Sequence, residues 1–174
     1  PLKATRFGLP FGKKPLQLKG YYKYTPGTQP FKAKDKNGNT VTIPGQEDEG
    51  DIYAVLSEAA ELDGKALDGN NVLTSENIVA LARVEVEKKD EFTAFHVDFH
   101  YKSRIPIDWP KFIQDQRDPS DDGTDEYLPF KEKKMKNYEY NLAVVFTSSK
   151  YGAYFAGSVG STLCIDKVEI VCEK

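Results

Sequence analysis

Residues 140–171, YNLAVVFTSSKYGAYFAGSVGSTLCIDKVEIV, constrain the fold more than any other stretch of the chain. Two apolar runs flank a loop punctuated by Gly152, Gly157 and Gly160. Leu142, Ala143, Val144, Val145 and Phe146 form one short run, the pattern of a strand covered on both faces. The second run begins Leu163, Cys164, Ile165 and then alternates, with Val168, Ile170 and Cys172 on one face and Lys167, Glu169 and Val171 on the other. Such a strand fits the central part of a β-sandwich. The glycines permit positive φ and close backbone approach, so the runs read as two core strands joined by a tight loop.

The remaining chain agrees with this reading. Residues 1–19 carry three prolines and a basic tilt, an extended, turn-rich entry. GYYKYTPG alternates and ends in a Pro26-Gly27 turn signal. Asn37-Gly38 marks a hairpin tip between KAK and VTI. The acidic run 46–51 reads as a charged loop leading into IYAVLSEA. IVALARVEV alternates as a strand, and FTAFHVDFHY does so most cleanly. Residues 102–136, with four prolines, an acidic patch and KEKKMK, form the longest irregular stretch, a length usual for functional or disordered loops.

Composition sets further bounds. A chain of 174 residues is long enough for one domain with a proper core, and strand-formers and turn-formers dominate, which favours an all-β fold over residues 1–174. Net charge is -3, so no basic field exists to hold nucleic acid. No apolar stretch approaches the roughly 20 residues of a transmembrane segment. Cys164 and Cys172 on one strand would be about 26 Å apart, too far for a disulfide. The start at Pro1, without methionine or signal sequence, suggests a mature or excised piece of a longer protein.

Four segments then carry a family resemblance: GLPFGKKPLQLKGYYKYTPG, DIYAVLSEA, TSENIVALARVEV and the closing stretch 140–171, whose SSK, FAGSVGSTL and IDKVEI are its most specific parts. Together they resemble the putative carbohydrate metabolism domain of Bacteroidetes surface and secreted proteins. The resemblance implies a jelly-roll β-sandwich similar to carbohydrate-binding modules, the C-terminal module of a larger exported protein, located outside the cell, at its surface or in the periplasm. It implies a glycan or polysaccharide partner and other domains of the same protein as neighbours. Family members begin with further strand sequence before GLPF, which this chain lacks, so an N-terminal strand is expected to be missing or supplied from elsewhere.

Three groups of residues are candidate contacts. His96, Asp98 and His100 alternate along one strand face, about 6 to 7 Å apart, too far for one metal but suited to a polar row on the concave face of a jelly roll. The opposing reading is an ordinary solvent-facing side. Trp109 and Tyr127, with Phe112, Phe130 and Arg104, place flat rings and a guanidinium in the long irregular stretch, either a glycan platform or a satellite cluster pinning the loop. Asp166 interrupts an inward series of Cys164, Val168 and Ile170, so a buried carboxylate would need a partner. Carbohydrate-binding jelly rolls similar to this one end in a strand whose aspartate helps hold a structural calcium, which makes Asp166 a candidate ligand.

No phosphate-cradling glycine motif, zinc spacing or Ser-His-Asp order is present. The expected function is non-catalytic glycan binding. The alternatives are a glycoside hydrolase using two carboxylates about 5 to 9 Å apart, or a structural or adhesive surface domain without a sugar site.

Overall fold

The computed structural model describes residues 5–58, 67–69, 71–75, 77–101, 110–114 and 140–174. Strand β1 spans Leu9–Pro10, β2 Pro15–Thr25, β3 Lys32–Lys34, β4 Thr40–Thr42 and β5 Gly50–Glu58. Strand β6 spans Ile78–Val86, β7 Lys89–Asp98, β8 Tyr140–Thr147 and β9 Thr162–Cys172. One helical turn, α1 (Lys111–Gln114), and one 3-10 turn, Gly152–Tyr154, accompany them. The first sheet has the order β1-β8-β5-β6, the second β7-β2-β9, and β3 and β4 make a separate hairpin. All strand pairs are antiparallel. The expected all-β sandwich is therefore the fold, and neither sheet closes into a barrel. The hairpin tip also falls where Asn37-Gly38 put it: Gly38 has φ 82°, and Asp35 Oδ1 accepts the Asn37 and Asn39 N–H groups at 2.9 and 2.8 Å.

The core lies between the two sheets. Leu18, Tyr22 and Tyr24 of β2 and Phe95 of β7 meet Ile52, Ala54 and Leu56 of β5 and Ala80 and Ala82 of β6. Leu18, Ile52 and Leu56 are fully buried, and each contributes about 2 kcal/mol by leaving water. On the opposite face of the first sheet, Tyr53, Val55 and Leu81 form a second cluster with Leu67 and Val72. The strand covered on both faces is therefore β5. In β8, by contrast, Phe146 is half-exposed. The reason is position: β5 has full-length neighbours on each side, whereas the outer neighbour of β8 is the two-residue β1.

The closing stretch departs from expectation in two more ways. Its two strands belong to different sheets, so the glycine loop is a crossover and β9 is an edge strand, not a central one. In addition, β9 carries a bulge. Lys19 pairs with Glu169 but Tyr21 with Asp166, and Lys167 has φ 50°. Gly20 sits opposite, where a Cβ would press on the Phe95 ring at 3.0 Å and the Asp166 carbonyl oxygen at 3.2 Å. The extra residue reverses the side-chain phase, so Leu163, Ile165 and Ile170 pack on the core. Asp166 is exposed, beside Tyr21 on the outside. Cys164 and Cys172 lie on this same strand, both as free thiols.

Candidate ligand-binding site

The acidic run 46–51 is not simply a solvated loop. Asp48 and Asp51 are each only 3 % exposed. Asp48 Oδ2 accepts bonds from Ser149 Oγ at 2.7 Å, Ser161 Oγ at 2.7 Å and the Ser158 N–H at 2.9 Å, while Oδ1 accepts the Glu49 N–H at 3.0 Å. This one carboxylate gathers the crossover loop and explains Ser149 and Ser161. It also explains Gly157, where a Cβ would lie 2.9 Å from Ser149 Oγ and 3.1 Å from Asp48 Oδ2.

Asp51 faces outward from β5 and takes Arg83 of β6 in a fork, Nε to Oδ1 at 2.9 Å and Nη2 to Oδ2 at 2.6 Å. The register makes this possible: Tyr53 is opposite Arg83, so Asp51 is its diagonal neighbour. Burial alone would lower the Arg83 pKa, but the Asp51 hydrogen bonds and charge raise it above its ordinary value. The guanidinium also lies over the Tyr53 ring, 5.8 Å from its centroid.

Two depressions share this ion pair as a wall. One is a broad cleft of about 980 Å³ at the β6 edge, lined by the 46–51 run, Tyr24, residues 83–88, His100 and Lys150. The other is a pocket of about 300 Å³ over the outer face of the first sheet. Its walls are mostly apolar: Tyr53 and Val145 from the sheet, Phe7, Val72 and Leu73 from the covering segments, and Tyr151 and Tyr154 from the crossover. Its polar groups are Asp51, Arg83, Lys150, Ser149 and three threonines. Lys150 Nζ lies 5.5 Å from the Tyr151 ring centroid and pairs with Glu49 at 3.0 Å. Burial alone would lower the Lys150 pKa, yet the Glu49 hydrogen bond and Tyr151 hold it above its usual value.

Burial, reinforced by the Asp51 charge, pushes the Tyr53 pKa well up, and burial, opposed by the Lys150 charge, raises that of Tyr151. Both hydroxyls therefore stay protonated at neutral pH and can donate. Tyr53 Oη makes no hydrogen bond among the described residues, nor does Arg83 Nη1. A mostly apolar pocket with a few converging polar groups is the usual form of a small-ligand site.

The residues singled out by sequence do not converge there. His96 and Asp98 lie on the outer face of the second sheet, opposite Lys19 and Gln17, and Asp98 accepts a 2.9 Å bond from Gln17 Nε2. His100 leaves that row: β7 ends at Asp98, and His100 bridges to Leu81 of β6, so it reaches the broad cleft instead. Trp109, Tyr127, Arg104 and Phe130 lie outside the described residues. Phe112 of α1 packs edge-on against Phe31 and Tyr151, the satellite-cluster reading of that ring. At Asp166, exposure removes the buried charge that called for a partner. Among the described residues no group of three or more His, Cys, Asp or Glu side chains is placed to hold a metal ion.

What sequence missed are Tyr53, Arg83, Lys150, Tyr151 and Tyr154. The one available signal was Arg83 set within an apolar strand, with Asp51 opening another.

An antiparallel β-sandwich whose outer face carries a tyrosine-lined pocket defines the class of protein. The chain belongs to the family described as "putative carbohydrate metabolism domain", whose sequence profile matches residues 1–171. It is similar to the crystal structure of a "putative glycoside hydrolase" from Bacteroides thetaiotaomicron VPI-5482, with 38% identity and a TM-score of 0.71, over 100% of this chain and 42% of that one. A second "putative glycoside hydrolase", from Bacteroides vulgatus ATCC 8482, is 33% identical with a TM-score of 0.67, over 99% of this chain and 57% of that one. The chain thus spans less than two thirds of either protein. No curated protein matches it. Among the described residues, no helix is long and apolar enough to cross a membrane.

Proposed function

We propose that this chain is a glycan-binding accessory domain of a bacterial surface or exported protein, and that it holds its ligand without cleaving it. The observation that carries the reading is the pocket itself. Tyr53, Tyr151 and Tyr154 bring three rings to a space of about 300 Å³ beside fixed hydrogen-bond donors. Sugar rings combine apolar C–H faces with hydroxyl rims, and such walls complement both. A volume of this size accommodates about one or two rings.

The disposition of acids favours binding over hydrolysis. Glycosidases need one carboxyl kept protonated by its surroundings beside a second, ionised one. Asp48 and Asp51 are the buried carboxylates among the described residues, and each is already held by the groups that bond it. The names of the two Bacteroides structures favour the enzyme reading, in which the longer protein supplies what this chain does not. The coverage of 42% and 57% is consistent with a module working beside other domains.

A glycan array followed by calorimetry tests the proposal. Saturable binding should fall about tenfold in Tyr154→Ala, the loss of one stacking ring. Glu85→Gln, in the neighbouring cleft, should leave affinity within about twofold, as expected for an exposed charge. Binding that survives Tyr154→Ala but disappears in Trp109→Ala and Tyr127→Ala would move the site to the long irregular stretch. Turnover of aryl glycosides abolished by a single carboxylate substitution would replace binding with catalysis.

A further inference from the structure

The two depressions that share the Asp51–Arg83 wall differ in the charged groups that line them. The broad cleft gathers six carboxylates against Arg83, Lys88 and Lys150. The tyrosine pocket has Asp51 alone against Arg83 and Lys150. Asp51 is spent within the pocket, since both its oxygens are taken by Arg83. Lys150 is likewise paired, with Glu49 at 3.0 Å, so what the two pairs present toward a ligand is their N–H donors, in a chain whose net charge is -3.

The guanidinium is also aimed. Its Nε–Nη2 edge is fixed by Asp51 and its face by Tyr53, which leaves Nη1 without a partner. A rotationally fixed donor of this kind recognises an oxyanion with little ordering cost on binding. Lys150, also on the pocket wall and held between Glu49 and Tyr151, adds a second charged donor. The Tyr53 hydroxyl, which makes no hydrogen bond among the described residues, supplies a neutral donor to the same pocket.

We infer that the tyrosine pocket takes an anionic sugar, its ring against the tyrosines and its carboxylate or sulfate ester on Arg83 Nη1 and Lys150. This rests on the glycan-binding reading of the pocket and specifies its ligand class. A uronic acid and a sulfated sugar present the same chemistry to the site, a singly charged oxyanion projecting from an otherwise neutral ring.

The experiment uses the whole chain and three probes in calorimetry: a trigalacturonide, its fully methyl-esterified counterpart, and a sulfated galactan oligosaccharide of similar length. One or both anionic probes should bind about tenfold or more tightly than the methyl ester, and the tighter of the two identifies the carboxylate or the sulfate as the natural group. Raising salt should weaken the anionic probes and leave the ester unchanged. Because substituting Arg83 strands a buried Asp51, the decisive variant is Lys150→Gln, whose side chain is partly exposed and whose fold is checked by circular dichroism. It should lose about fivefold for the anionic probe and nothing for a neutral one. Equal affinity for ester and acid, or equal loss for both in Lys150→Gln, overturns the anionic assignment while leaving glycan binding intact. Absence of binding to these probes and to every neutral glycan on the array would overturn both readings together.

Discussion

The broad cleft and the tyrosine pocket meet at the same two side chains and yet differ in nearly every other respect. The cleft is the larger, and it is built from charged groups that satisfy one another or face water. The pocket is about a third of that size, and its rings and aliphatic walls leave few polar groups, of which Asp51, Arg83, Lys150 and Ser149 are held by hydrogen bonds. Size alone would choose the cleft. Chemistry chooses the pocket, because a ligand gains most where apolar walls are already dry and the donors already oriented.

The comparison can be broken most forcefully at the shared wall. Asp51→Ala leaves Arg83 without its counter-charge in a largely buried position, and should cost about 3 to 5 kcal/mol in urea denaturation. A cost below about 1 kcal/mol would show that the wall is not held by this pair. Asp48→Ala tests the cleft side. It removes the acceptor for two hydroxyls and two amides, and should cost about 2 to 3 kcal/mol. Hydrogen exchange of the Ser158 amide should accelerate with it, and unchanged protection would mean that Asp48 does not pin the crossover.

The smallest expected effect is on pH dependence. Burial, with the Asp48 charge adding to it, pushes the Tyr24 pKa up from 10.0 to about 12. The folded protein then keeps a proton that the unfolded chain begins to release near pH 10. Stability from this residue is fully present below that pH and is lost as pH rises toward 12, by about 2 kcal/mol. Tyr24→Phe should flatten this alkaline limb, and an identical pH profile in that variant would assign the limb to other groups.

Much of the architecture was legible in the chain. Alternation located the strands β2, β6 and β7, Asn37-Gly38 located a hairpin, and the glycine-rich closing stretch located β8 and β9. These are local signals, because a strand's period of two and a turn's positive φ belong to a few consecutive residues. The burial of β9 was misread for the same reason. Its alternation looked unbroken, while the bulge at Lys167 depends on how Gly20 of another strand packs.

The site was far less legible. His96 and Asp98 drew attention because their alternation is visible, yet they lie on an open sheet face. Tyr53 and Arg83 looked like ordinary strand residues, and Tyr151 and Tyr154 like loop aromatics. Nothing local says that Asp51 will fork onto Arg83, 32 residues away, or that Lys150 will bond Glu49, 101 residues away. Sequence by itself determined the strand pattern and the sandwich class, since periodicity and turn chemistry are written in neighbouring residues, and the resemblance of four segments pointed to the family. Only the tertiary structure decided which strand is covered on both faces, which way Asp166 points, and which tyrosines surround one pocket. Those depend on register and sheet order, which bring distant residues together through pairings that no short segment encodes.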